Sequence, residues 1–316
     1  MSFEQDINQW QKTCEEIIKE AEIPGLLPSP PDPRDYSIED IPLATPVLPP
    51  KLYLQPSPII LDQGSTGYCA GAAAAGVANA FYHSIGEMPD ERGFSMNFLY
   101  WLSKEIDGIP HVSGTYLRTV LKIMHERGCG LERYTPYTTS RSVITAEALE
   151  HAKKYRIESY ARLRSSRDLK QALGKGCYIL IGTLVTRGNW SRVYLSTPSG
   201  PIYGGHATHL FGYDDDLVEI HTGYYAGQNS WGKRAHDNGR FFLPYDYHRM
   251  RHEGQVKFLE AWAVQFATGK KKVLPDETMP SPIQPRPQPQ IREDILDNVR
   301  QQLINFRDRV NNFIRR

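Results

Sequence analysis

The chain has 316 residues, enough for one large domain with appendages or two modest domains, and enough to bury a substantial core. Hydrophobic residues make up 40% and charged residues 23% of the sequence, the balance of a soluble globular protein. With a formal net charge of +1, no bulk field argues for nucleic acid or a membrane as partner. The local basic run Lys270, Lys271 and Lys272 reads as a solvated junction rather than a binding patch.

Taken in chain order, residues 2–22 predict a helix, because Phe3, Ile7, Trp10, Cys14, Ile17 and Ala21 fall three and four apart on one stripe. Pro24 and Gly25 end it. Residues 24–50 are rich in proline and are expected to be extended. Residues 1–45 thus form an N-terminal helix and a proline-rich belt or short propeptide. The stretch Pro30 to Pro46 could lie over a cleft or simply wrap a surface.

Residues 46–268 carry the globular domain. Its first half reads as helical at 69–84, 94–105, 115–126 and 168–173. Its second half reads as strands at 178–181, 209–213, 217–220, 240–243 and 259–266, between Gly, Asp and Asn turns. Helices first and strands second predict an α+β domain with two lobes. Residues 269–290, with Pro275, Pro280, Pro282, Pro285, Pro287 and Pro289, read as a stiff linker. Residues 291–316 predict an amphipathic helix with a heptad seam of Leu296, Val299, Leu303, Phe306, Val310 and Phe313. That seam suits self-association, docking to a partner, or folding back on the chain's own domain.

No apolar run is long enough to span a bilayer. The opening Met1-Ser2-Phe3-Glu4-Gln5-Asp6 has neither the basic nor the apolar region of a secretory signal, so the expected location is the cytoplasm. Cys14, Cys69, Cys129 and Cys177 show no metal-ligand spacing. No metal or organic cofactor is implied. If one cysteine is a nucleophile, the remaining three cannot pair completely, which fits a reducing compartment.

Three segments carry chemistry. In Asp62-Gln63-Gly64-Ser65-Thr66-Gly67-Tyr68-Cys69, a cysteine follows a glycine-containing loop and opens an alanine-rich helix. The free N–H groups and partial positive charge of a helix N-terminus favour thiolate. Tyr203-Gly204-Gly205-His206-Ala207 leads a histidine into a strand, and Gly227-Gln228-Asn229-Ser230-Trp231-Gly232 supplies an amide to orient an imidazole and an indole to shield the bond. Each segment alone is as compatible with an ordinary turn or core position. Their order is informative. His206 and Asn229 lie 137 and 160 positions after Cys69, near the roughly 130–150 typical of one class of cysteine enzyme. His209 rivals His206 locally, but three residues along a strand point to opposite faces.

The sequence resembles the papain-like C1 peptidase family, bacterial members above all. Gln63 six residues before Cys69, Gly205-His206-Ala207, Asn229-Ser230-Trp231-Gly232 and Asp237-Asn238-Gly239-Arg240-Phe241 are similar to that family's motifs. Weaker likenesses extend the resemblance over about 33–266. It implies a two-lobed fold, a helical lobe carrying Cys69 and a β-rich lobe carrying His206 and Asn229. It further implies catalysis by Cys69, His206 and Asn229 with Gln63 in the oxyanion hole, and substrate contacts at Gly204, Gly205 and Trp231. The expected partner is a protein or peptide substrate. Thr66 stands where the family has a structural cysteine, Ala70 where it has tryptophan, and its Gly-Cys-x-Gly-Gly segment is not recognisable near 107–114. Two other functions use the same residues: a Cys-dependent acyltransferase or transglutaminase-like enzyme, and a catalytically silent binding module docked through its C-terminal helix.

Overall fold

An antiparallel sheet organises the chain, and helices cover one end of it. The computed structural model describes residues 3–20, 25–41, 47–186, 188–252, 255–256 and 258–267. The proline-rich linker and heptad helix expected at 269–290 and 291–316 lie outside the described residues. In chain order the elements are α1 (Phe3–Glu20), β1 (Lys51–Tyr53), α2 (Cys69–Ser84), α3 (Met96–Lys104), α4 (Leu117–Glu126), α5 (Ala146–Ala152), β2 (Ile157–Leu163), α6 (Ser166–Gly174), β3 (Tyr178–Thr186), β4 (Ile202–Val218), β5 (Thr222–Gln228), β6 (Arg240–Pro244), a two-residue ribbon β7 (Arg251–His252) and β8 (Gln255–Val256), and β9 (Phe258–Phe266). The large sheet runs β2-β9-β3-β4-β5-β6, with β1 also paired to β4. No helix among the described residues is long and apolar enough to cross a membrane.

The α+β, two-lobed architecture follows from where apolar residues fall. Helix α2 has almost no polar face. Alanine fills Ala70, Ala72 to Ala75, Ala78 and Ala80, all buried, and alanine is the strongest helix former. A helix that is apolar all round belongs inside a fold, and α2 lies between α3 and the sheet strand β4. Helix α3 starts at Ser95, whose hydroxyl accepts from the Phe98 N–H and satisfies an orphan donor of the first turn. Helix α4 buries Leu117, Val120, Leu121, Ile123 and Met124. All nine residues of β3 are buried, as expected of a strand paired on both sides and covered on both faces.

Several elements depart from the sequence expectation. The strands expected at 209–213 and 217–220 belong largely to one long strand, β4, which begins as early as Ile202; residues 219–220 lie beyond its end. Its glycines weakened the strand signal. Strand β5, read only as a motif, pairs from Thr222. Helix α5 and strand β2 were not expected. Thr145 caps α5 through the Ala148 N–H, and β2 exists through pairing with β9.

The close crossing of α2 and α3 yields a prediction of sign. A Cβ on Gly71 would stand 2.5 Å from the Met96 carbonyl oxygen. Alanine normally stabilises a helix by about 1 kcal/mol over glycine, whereas overpacking a rigid core costs about 1–3 kcal/mol. Gly71→Ala should therefore lower stability in urea denaturation, and a gain would mean that the two helices slide apart freely.

Candidate active site

Cys69 is the first residue of α2 and is 1% exposed. The loop before it is folded by Gln63. The Gln63 carbonyl accepts from Thr66 N–H (3.3 Å), Thr66 Oγ1 (2.7 Å) and Tyr137 Oη (2.9 Å). Its side-chain Oε1 accepts from Ser230 Oγ at 2.7 Å, and its Nε2 donates to the Thr66 carbonyl at 2.8 Å. One hydrogen of that amide is thus used, and the side chain is held in a single orientation. Gly67 lets the loop press on its neighbour: a Cβ there would come within 2.1 Å of the Ser113 oxygen.

His206 lies on β4 and is buried. Its Nε2 meets Asn229 Oδ1 at 2.7 Å. The Ser230 backbone N–H also donates to that oxygen, at 2.7 Å. A backbone N–H can only donate, so it fixes which end of the Asn229 amide faces His206. Nε2 must then carry a proton, and Nδ1 is left as the basic nitrogen. Trp231 stacks on His206 at 4.6 Å between centroids, and Trp190 meets its edge at 5.7 Å. His209 is on the opposite face of β4, where its ring lies against Gly76 of α2. Of the other expected contacts, Gly204 pairs with Val185 inside the sheet, and Gly205 adjoins the N-terminal belt.

The two lobes are stitched at the site. Gln63 N–H donates to the Ser230 carbonyl and Gly232 N–H to the Leu61 carbonyl, with Asp62 bridging Trp231 in antiparallel register. This short pairing joins the loop that leads to Cys69 to the strand end that carries Asn229.

The belt runs through the cleft. Leu26 N–H donates to the Gly205 carbonyl at 2.9 Å, and Leu26 bridges Thr115 on the helical side. Leu26 is fully buried, and its side chain reaches Gly182, as do those of Leu117 and Glu260. A Cβ on Gly25 would stand 3.7 Å from Cys69 Sγ and only 2.7 Å from the Gly205 oxygen, so glycine permits this approach. Ser29 donates twice to Glu260 Oε1, both at 3.1 Å. Arg118 donates to the Pro30 carbonyl and to Asp35 at 2.6 Å. Helix α1 presses the belt down: Trp10 Nε1 donates to the Pro28 carbonyl, and Cys14 and Ile17 cluster with Leu27 and Tyr116.

The sequence model of the papain family cysteine proteases matches residues 58–256, which contain Gln63, Cys69, His206 and Asn229. The chain belongs to that family. An uncharacterized peptidase C1-like protein of Acanthamoeba polyphaga mimivirus is 26% identical over 208 residues, 59% of this chain; the match spans 64% of that relative's length, less than two thirds of it. Among solved structures, xylellain, a cysteine protease from Xylella fastidiosa, superposes with a TM-score of 0.65 at 24% identity, over 79% of this chain and 98% of its own. Procathepsin B S9 from Trypanosoma congolense superposes at 0.54 with 15% identity, over 84% and 98%. These likenesses to solved structures establish the fold.

Within this papain-family site, the charges are set by burial. The N–H groups of Ala207, Ala70 and Cys69 favour the Cys69 thiolate, but burial outweighs them and pushes the thiol up to about 11. Burial also pushes His206 down to about 4, against the opposing effect of its bond to Asn229. Burial thus disfavours the charged form of both partners. Sequence reasoning missed Trp190, because a lone Trp before a Ser-Arg turn carries no periodic signal. It also missed that Gly25 and Leu26 lie against Cys69 and Gly205; of the stretch Pro30 to Pro46, residues 42–46 lie outside the described residues.

Burial holds His209 at about 3 and His206 at about 4, below the roughly 6.5 of an unfolded histidine. The unfolded chain therefore takes up protons between about pH 6.5 and 4 that these folded histidines refuse, which lowers stability as pH falls. Thermal unfolding of His209→Gln should lose less Tm between pH 7 and pH 5 than the wild type does. Equal losses would mean that His209 titrates normally.

Proposed function

We propose that this chain is a cysteine endopeptidase in which Cys69 attacks the scissile carbonyl and residues 25–35 cover the cleft until displaced. The observation that carries the reading is the joint placement of four groups. Cys69 opens α2 beside the Ala207 N–H, His206 precedes that residue on β4, Asn229 fixes the His206 tautomer, and Gln63 is locked to Ser230.

The reaction uses each group once. His206 Nδ1 accepts the Cys69 proton, and the thiolate sulfur forms a bond to the peptide carbonyl carbon. The oxyanion takes the second Gln63 Nε2 hydrogen and the Cys69 N–H, donors worth about 2.7–4 kcal/mol of barrier when one is removed. The imidazolium then gives its proton to the leaving amine, the C–N bond breaks, and a thioester remains. Water, deprotonated by His206, releases the acid and restores the thiol. Trp231 keeps water from the His206–Asn229 bond, which is stronger in a dry setting. Substrate backbone would take over the Gly205 carbonyl that Leu26 now occupies, and the contacts at Gly204 and Gly205 follow from that exchange. Acyl transfer to an amine would use the same thioester.

The belt's buried Leu26, its hydrogen bond to Gly205 and the Arg118 clamp support its role as a cover. Burying a leucine side chain is worth roughly 1.5–3 kcal/mol. Leu26→Ala should therefore raise the open population roughly 10- to 100-fold. The readout is the rate of covalent labelling of Cys69 by a thiol-directed epoxide, followed by intact mass, with Cys69→Ala as the blank. Slow labelling of the wild type and faster labelling of Leu26→Ala support both parts of the reading. Equal rates in the two would remove the cover, and no labelling of either would remove the activated thiol.

A further inference from the structure

The hydrogen-bond chain that orients His206 does not stop at Asn229. Asn229 Nδ2 lies 2.9 Å from His236 Nε2, and His236 Nδ1 lies 2.7 Å from the Arg192 carbonyl oxygen. Both ends of this chain are chemically unambiguous. Ser230 N–H can only donate to Asn229 Oδ1, and the Arg192 carbonyl can only accept. The Asn229 amide must then present its NH2 to His236, whose Nε2 must accept. The His236 proton is forced onto Nδ1. Every atom in the line Arg192, His236, Asn229, His206 has one assignment: flipping the Asn229 amide would break three bonds and reversing His236 would break two.

His236 is held in a conformation that side chains seldom adopt. Its φ is 52°, as is typical of glycine, and Asn238 two residues on has φ 48°. Such positions cost about 1–3 kcal/mol each and persist where the surroundings over-determine them. Here they do. Ala235 N–H donates to Gly232, Gly239 N–H to Ala235, Asn229 N–H to Gly239, and Asp237 and Arg240 exchange backbone bonds. The strained backbone turns the ring inward. It stacks parallel to Trp231 at 6.0 Å and 15°, and meets Trp190 at 6.3 Å and Phe241 at 5.4 Å. Trp231 therefore contacts two imidazoles, His206 and His236, and both bond the one amide of Asn229.

We infer that His236 is a positioning residue for the cysteine-peptidase reaction, a neutral imidazole acceptor that locks the Asn229 amide so that its oxygen faces His206. It touches neither substrate nor sulfur. Without it, the Asn229 NH2 loses its partner, and the Ser230 N–H is the one fixed donor left to hold the amide against the flipped form, which presents NH2 to His206. A flipped amide would favour the wrong His206 tautomer, with the proton on the nitrogen needed as base. The loss would fall on the chemical step and leave substrate binding alone. This inference rests on the proposed peptidase reading, and its test includes a measurement that needs no turnover.

That measurement is 15N NMR of the histidine side chains in the full chain. The expected result is an Nδ1–H tautomer at His236 and an Nε2–H tautomer at His206. A proton on His236 Nε2, or a charged His236 at pH 7, would overturn the inference whether or not the chain cleaves peptides. The kinetic arm uses His236→Leu, which removes the acceptor, and His236→Gln, whose Oε1 can accept from the Asn229 NH2. His236→Leu should lower kcat by roughly 3- to 10-fold, the range for one lost hydrogen bond, with KM unchanged. His236→Gln should recover most of it. In an Asn229→Ala background, His236→Leu should cost nothing more. A loss of the same size there, or a change in KM alone, would make His236 a packing residue of the loop. If His236→Leu does not fold, the tautomer assignment in the wild type and the kcat of His236→Gln still decide.

Discussion

A three-residue antiparallel contact, Leu61 to Gln63 against Ser230 to Gly232, is the constraint on which the site depends. Gln63 precedes Cys69 by one loop, and Ser230 follows Asn229 directly. Cys69 stands on a helix of one lobe and His206 on a strand of the other, so nothing local sets their relation. These backbone bonds set it, and the Ser230 Oγ bond to Gln63 Oε1 carries the same register into the side chains. Ser230 thus has two tasks. Its backbone N–H orients the Asn229 amide that bonds His206, and its hydroxyl orients the Gln63 amide, the donor proposed for the oxyanion. Placing both on one residue couples two parts of an acyl-transfer site that could otherwise drift apart.

The belt acts on the same site through water. Gly25 approaches Cys69, Leu26 bonds the carbonyl of Gly205 next to His206, and burial disfavours the charged form of both Cys69 and His206. Burial thus favours thiol and imidazole over the ion pair. Under the proposed reading, withdrawing the belt would restore solvent and let the proton pass from sulfur to Nδ1. The proton count of the pair is the same before and after, so uncovering requires no net uptake or release of protons by these two groups near pH 7. What must be overcome is the burial of Leu26 and Leu27, the Arg118 contacts, the Ser29–Glu260 bonds and the clasp of α1.

Much of this was legible in the sequence because motifs survive where chemistry constrains residue type. Gln63, Cys69, His206, Asn229 and Trp231 each sit in a short pattern of glycine, small and polar residues. The order of those patterns singles them out from the sequence alone. The fold class followed from alanine-rich and apolar helical stretches giving way to β-branched and aromatic runs. What was not legible depends on contacts far apart in sequence. Strand β2 is a strand because β9 lies beside it. Helix α5 is short and marked by little more than its Thr145 cap. Trp190 and His236 come from loops without periodicity, and they gain meaning only once folding brings them to Trp231. In sequence Leu26 is one apolar residue before a proline tract; its side chain packs where Gly182, Leu117 and Glu260 meet, which no local pattern could announce.

The central claim, that Cys69 forms a covalent acyl intermediate, is tested most directly by trapping it. Full-length chain and its Leu26→Ala variant would be mixed with an activated peptide ester, quenched in acid within milliseconds, and weighed intact, with the modified peptide sequenced. The account predicts one acyl group on Cys69, appearing as a burst in the variant and more slowly in the wild type, and none in Cys69→Ala. Ester hydrolysis without an acyl group on Cys69, or an acyl group that persists in Cys69→Ala, would contradict it.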